Sequence, residues 1–243
     1  MRIFVFAKRC AKEIVRDPLN LAFGLGFPIV LLLLLTAIQA NVPVELFKIQ
    51  TLAPGVAVFG LSFITLFSAT LIAKDRESAL LQRLYTTPLK AVEFILGYML
   101  PVLPIALAQG SICYLVAFAL GLPISVNILY ALLLLFPVII FYVALGLLFG
   151  SILTVKQVGG ICGALLTNLS AWLSGVWFDL ALVGGVFEKI AEFLPFMHAV
   201  ELQRSAVDGV FLQALLHALP VLGYAIVITV GAVLLFLRQM KKQ

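Results

Sequence analysis

Six stretches of the chain run for roughly 20 residues or more with no Asp, Glu, Lys or Arg: approximately Leu19 to Ala40, Leu52 to Ala73, Phe94 to Leu120, Val126 to Leu153, Val158 to Phe178 and Ala214 to Leu237. A bilayer core about 30 Å thick is crossed by about 20 helical residues rising 1.5 Å each. Each run therefore has the length of a crossing. Backbone amides meet no water at that depth, so an isolated apolar segment satisfies them by forming a helix. The chain is expected to be an all-α polytopic membrane protein with six transmembrane helices.

Composition closes the soluble alternatives. Hydrophobic residues make up 63% of the chain and charged residues 11%, with a mean hydropathy of +1.19. Sixteen basic and 11 acidic side chains could not cover a soluble protein of 243 residues. A soluble enzyme, a nucleic-acid binder and a disordered linker are excluded. The net charge of +5 reads as topology and contact with anionic lipid, because the basic residues lie scattered between apolar runs. Cys10, Cys113 and Cys162 form an odd set without paired or metal-ligand spacing, so neither a disulfide framework nor a metal site is expected.

With the N-terminus in the cytoplasm, only Lys48, Lys189 and Arg204 of the 16 basic residues fall outside. The positive-inside rule favours that orientation, with both termini cytoplasmic. The first run is too long for the apolar core of a cleaved signal, and eighteen charged and amphipathic residues precede it. It is expected to remain as the first span.

The spans lack the buried acid, base or histidine with which gradient-driven carriers and proton pumps couple to an ion. The chain contains no Gly-Lys dipeptide and so no G-x-x-x-x-G-K-[ST] loop. It is not expected to bind ATP or to act as an enzyme; ATP energy would come from another subunit. An intramembrane protease fares poorly too, because Ser62 lies at mid-span while His217 lies near the outer surface. Helix packing for Ser62 and an interfacial place for His217 are the expected roles.

Three non-spanning segments carry information. Residues 1–18 form an amphipathic pattern, with Ile3, Phe4, Ala7, Cys10, Ala11, Ile14 and Val15 on one side. Lys8, Arg9, Lys12 and Arg16 gather on the other, and Phe6 breaks the pattern. In the 74–93 loop, Leu80, Leu81 and Leu84 fall at helical spacing between Glu77 and Arg83, and Pro88 ends the run. A short surface helix there would need a cover, either lipid headgroups or a partner protein; a plain cytoplasmic extension of the second span is the alternative. In the 179–213 segment, Phe187, Ile190, Ala191 and Leu194 suggest a short amphipathic helix interrupted by Pro195. An ordinary extracellular loop is the alternative.

Within the spans, Phe59, Phe63 and Phe67 recur one turn apart and form an aromatic face. It could line an apolar pathway or serve packing. Asn168, beside Thr167 and Ser170, is the most polar intramembrane point, and as a buried amide it needs a partner across a dimer, within the bundle or in a wet cavity. Gly146 with Gly150, and Gly159 with Gly163, have the spacing of close helix packing.

The motifs Leu52-Ala53-Pro54-Gly55, Arg76-Glu77-Ser78 through Leu80-Leu81-Gln82-Arg83-Leu84 to Thr87-Pro88-Leu89, and Leu194-Pro195-Phe196 recur in a recognisable order. After the last come His198-Ala199-Val200-Glu201, Arg204 and Asp208-Gly209. With six spans and a basic amphipathic N-terminus, the chain resembles the permease subunit of the type-2 class of ABC transporters over essentially its whole length. That resemblance implies a half-size permease in the cell's inner (plasma) membrane. It would pair as a homodimer, or with a paralogue, and dock separate ABC ATPase subunits that bind ATP and Mg.

By the same resemblance, residues 1–18 are an interfacial connecting helix, residues 19–237 one transmembrane domain, and residues 238–243 a cytoplasmic tail. The 74–93 loop holds a coupling helix, with Leu80, Leu81 and Leu84 as apolar anchors in the ATPase and Glu77 and Arg83 as polar contacts. Residues 179–213 become a re-entrant helical segment. The second and fifth spans border the central cavity, which makes Phe59, Phe63, Phe67 and Asn168 candidate pathway residues. The Phe-rich, nearly uncharged lining points to export of an amphipathic or hydrophobic compound such as a drug, antibiotic or lipid. The alternatives are export of a lipid-linked glycan by the same architecture, and a non-transporting intramembrane enzyme or scaffold.

Overall fold

The computed structural model describes residues 2–42, 45–78 and 91–240, and the regular structure among them is entirely helical. Helix α1 (Arg2–Val15) leads into a first span built from α2 (Pro18–Leu21), a π-helical turn (Ala22–Gly26) and α3 (Phe27–Asn41). Pro28 has no N–H to return to the Gly24 carbonyl, so the wider turn lies where the α ladder must lose a rung. The second and third spans are α4 (Ile49–Glu77) and α5 (Ala91–Ala119), and the fourth is α6 (Val126–Ile152). Next come α7 (Val155–Gly160), a second π-helical segment (Ile161–Leu166) and α8 (Thr167–Trp172). Three shorter helices, α9 (Leu180–Val183), α10 (Gly185–Phe193) and α11 (Pro195–Val207), precede the last span, α12 (Phe211–Met240).

Among the described residues, 5 helices are long and apolar enough to cross a membrane. The expected fifth crossing, Val158 to Phe178, is not one of them. Its helix instead runs from Val155 to Trp172 in three consecutive pieces and then gives way to turns. Lys156, Gln157 and Asn168 lower its apolar character, and Gly159, Gly160 and Gly163 weaken a straight α ladder.

Helix α4 is the axis of the bundle. Its most apolar stretch is 89% buried, against 22% for the first and last spans. It packs against α5, α6, α11, the first span and the 155–172 helix, while α12 lies along α6 and α11. Close approach is achieved with small residues. A methyl group placed on Gly150 of α6 would fall 2.8 Å from the Ala69 carbonyl oxygen, and one on Gly146 would meet Ser68. The expected Gly146/Gly150 contact is thus present. Gly159 faces open space, and Gly163 has only ordinary contact with Leu66.

Helix α1 packs on α5 through a face shifted from the expected one: Ala7, Cys10 and Ile14 are buried as expected, and Phe6 joins them. Phe6 is buried, filling the space over Gly97 and meeting Phe94 and Tyr98 edge-on at centroid distances of 5.6 and 5.0 Å. Phe4 and Val15 are exposed. The notch at Gly97 rotates α1 so that Phe6, Ala7, Cys10 and Ile14 point inward.

Candidate functional site

The end of α4 that carries Lys74, Asp75, Arg76 and Glu77 gathers most of the bundle's charged contacts. Asp75 is only 2% exposed. Both guanidinium nitrogens of Arg9, reaching from α1, donate to it, with Nη2 2.6 Å from Oδ1 and Nη1 paired with Oδ2. The hydroxyl of Tyr98, on α5, donates to Oδ2 at 2.9 Å. A bidentate guanidinium with a third donor is the arrangement that makes a buried carboxylate tolerable. Burial opposes the charge on Arg9, but the hydrogen bond and negative charge of Asp75 outweigh it, so its proton is held more tightly than usual. Arg9 also reaches Glu13 one turn along, and Lys74 Nζ lies 3.5 Å from Asp17 Oδ2.

The next two residues seize other neighbours. Arg76 donates to the Ser151 carbonyl and, through Nη2 at 2.5 Å, to the Leu153 carbonyl. These are terminal acceptors of α6, which a helix end leaves without intrahelical partners. Glu77 Oε1 accepts from the Val155 amide at 2.9 Å, so it caps the start of α7, which Thr154 and Gln157 close reciprocally with a capping box. One turn of α4 therefore ties together α1, the start of the first span, α5, α6 and α7. Beside it lies a hollow of about 280 Å³ with Ile14, Arg16, Phe67, Leu71 and Lys74 in its wall.

The chain then enters residues 79–90. Leu80, Leu81, Arg83 and Leu84 of the expected coupling helix lie outside the described residues. Glu77, expected to begin that helix, is instead the last residue of α4.

The aromatic face is present, and it is covered within the chain. Phe59, Phe63 and Phe67 are buried. Phe27 of the first span meets Phe63 edge-on at 5.5 Å, and Trp177 meets Phe59 at 5.3 Å. Phe67 fills the space left by Gly24 in the π turn. Asn168 is exposed on the surface of the single chain rather than buried within the bundle, and its Nδ2 donates to the Ala164 carbonyl at 2.8 Å. The inward side of its helix is taken by Cys162, Leu166, Thr167 and Ser170. Tyr142 joins this helix to α4: its hydroxyl lies 2.6 Å from Ser170 Oγ, and its carbonyl accepts from Thr65 at 2.7 Å. Ser62 and His217 do not meet. Ser62 donates to the Phe59 carbonyl at 2.7 Å, whereas His217 lies 3.0 Å from His198.

At the opposite end of α4, Arg204 fixes α11. It contacts Glu201 at 2.8 Å, the Gly175 carbonyl at 3.0 Å and the Thr51 carbonyl at 3.3 Å. Tyr114 donates to Gln203 at 3.0 Å, and Asn127 to the Val207 carbonyl at 3.2 Å. The expected break at Pro195 holds, since that residue opens α11 directly after α10.

Sequence reasoning missed the Arg9–Asp75–Tyr98 cluster. The helical wheel assigned Arg9 to the polar side, yet the same rotation that buries Phe6 brings it onto Asp75. An acidic residue two positions past an apolar span, with a tyrosine at the fifth position of the next one, was the available signal.

A helical bundle with several membrane-length apolar helices, wound about one buried span whose charged end braces its neighbours, is that of a multi-pass membrane protein. The chain belongs to the ABC-2 type transporter family, whose description matches residues 1–207. No curated individual protein matches it significantly.

Proposed function

We propose that the chain is the permease half of an ATP-driven exporter that moves amphipathic or hydrophobic compounds out of the cell. Two copies, or one copy and a close relative, would form the pathway, and a separate ABC ATPase would bind ATP and Mg. The observation that carries this reading is the braced end of α4, which leads directly into residues 79–90. A push delivered there by a nucleotide-driven partner reaches five elements through stiff, charge-assisted bonds.

In this reading residues 77–84 are the handle. Leu80, Leu81 and Leu84 seat in the ATPase, while Arg83 and the exposed oxygen of Glu77 supply polar contacts. The two π turns flank α4 and provide the compliant joints. Movement of the first span uncovers Phe59, Phe63 and Phe67 to an apolar passenger. The 155–172 helix makes a sixth crossing, bringing both termini to the cytoplasm, and residues 179–213 form a re-entrant outer cap. Leu165, Asn168 and Trp172 are exposed on one face of that helix. An amide there is better matched by a second copy than by hydrocarbon.

The test is co-purification of an ATPase with tagged chain, together with its hydrolysis in proteoliposomes. Replacing Leu80, Leu81 and Leu84 by Asp should abolish attachment while leaving the permease folded. An ATPase that stays bound to the triple variant removes the handle, and uphill transport by the chain alone without nucleotide removes the whole reading.

A further inference from the structure

The chain has only 2 histidines, 19 positions apart on consecutive helices, and the fold brings them together. His198 of α11 and His217 of α12 face each other with their Nδ1 atoms 3.0 Å apart and their ring centroids 5.2 Å apart. His198 Nε2 lies 2.8 Å from the Glu192 carbonyl oxygen. A carbonyl has only lone pairs to offer, so in the neutral ring the proton of His198 sits on Nε2 and its Nδ1 lone pair points at His217. Both rings are part-exposed, which leaves the gap open to ions.

We propose that His198 and His217 form a two-imidazole site for a divalent transition-metal ion of the zinc type, clamping α11 to α12. Zinc binds imidazole nitrogen at about 2.0–2.1 Å, which puts two tetrahedral nitrogen ligands about 3.3 Å apart. The gap has to widen by only a few tenths of an ångström, and His217 has to move its proton to Nε2. The backbone acceptor on Nε2 of His198 is the outer-shell partner that fixes the tautomer of a metal-bound histidine. Glu201, one turn beyond His198, lies within electrostatic range of His217 and adds negative charge. No group of three His, Cys, Asp or Glu side chains suited to a metal occurs among the described residues. Water completes the coordination, and the ion is exchangeable rather than structural. Magnesium and calcium prefer oxygen ligands and are not bound.

The experiment uses the full chain in detergent, with its thermal unfolding followed at neutral pH. Zinc at about a hundred-fold excess over its Kd should raise the Tm by roughly 5 °C or more, whereas magnesium should not. The shift should vanish in H198Q, which keeps an amide N–H for the Glu192 carbonyl, and in H217Q. Cobalt(II) should give visible d–d bands with the wild type and none with either variant, a readout independent of how stable the variants are. Absence of both the zinc shift and the cobalt bands in the wild type, or equal responses in the variants, overturns the site.

Discussion

A carboxylate held at 2% exposure beside a membrane span survives only because its negative charge is answered on both oxygens. Replacing Asp75 by Asn leaves the Arg9 guanidinium facing a neutral amide. Removing one partner of a buried pair costs about 3–5 kcal/mol, and the part-exposed Arg9 places this case near the lower end. Tyr98→Phe removes a single hydrogen bond and leaves the ion pair whole, so it should cost roughly 1–2 kcal/mol. Cys10 supplies a reporter on the same helix. It is fully buried, and burial pushes its thiol up to about 12, so at mild pH it should resist alkylation while α1 is docked. With Cys113 and Cys162 replaced by Ala, maleimide labelling of Cys10 should be slow in the parent chain. It should quicken at least ten-fold in Asp75→Asn and much less in Tyr98→Phe; equal labelling in all three would dissolve the proposed link. The wheel that put Arg9 on the polar side shows why this site was illegible in the sequence. A wheel orders residues around one axis, but only the notch at Gly97 decides which arc turns inward.

At the scale of elements, what matters is whether a small residue faces a neighbouring backbone or open space. Gly150 and Gly159 have the same local spacing in the sequence, and both pairs suggested close packing there. In the fold, a Cβ on Gly150 would stand 2.8 Å from Ala69 O and 2.9 Å from Ala69 Cα, and backbone cannot swing aside. Gly150→Ala should therefore force α6 away from α4 and cost about 1–3 kcal/mol. Gly159→Ala meets nothing within 4 Å and should be neutral or stabilising by up to about 1 kcal/mol through helix propensity. Thermal unfolding of the two variants checks the contrast, and a reversed order would contradict the α4–α6 packing. The long apolar helices could be read from hydropathy because crossing length is a local property of the chain. The partner of each glycine depends on how two separate helices cross, and spacing alone does not encode it.

For the whole molecule, the 155–172 helix decides the parity of the topology. Eighteen residues at 1.5 Å each give about 27 Å, close to the thickness of the apolar core. If that helix crosses, residues 179–213 lie outside and the C-terminus is cytoplasmic. If it stays on the inner side, both locations exchange. Counted over all loops, the positive-inside rule separates these arrangements weakly, because Lys189 and Arg204 trade places with Arg238, Lys241 and Lys242. The last span decides more sharply. Three cations follow it closely, whereas Arg204 alone lies within ten residues before it, which favours the proposed cytoplasmic C-terminus. A chain with its native cysteines replaced and Lys189→Cys introduced should react in intact cells with a membrane-impermeant maleimide. Lys156→Cys should react only after permeabilisation, and a C-terminal tag should be shielded from external protease. Labelling of Lys189→Cys only after permeabilisation, with the tag digested from outside, would reduce the crossings to five. That outcome would contradict the Arg204 brace, which holds Gly175 and Thr51 at the end of α4 opposite Asp75.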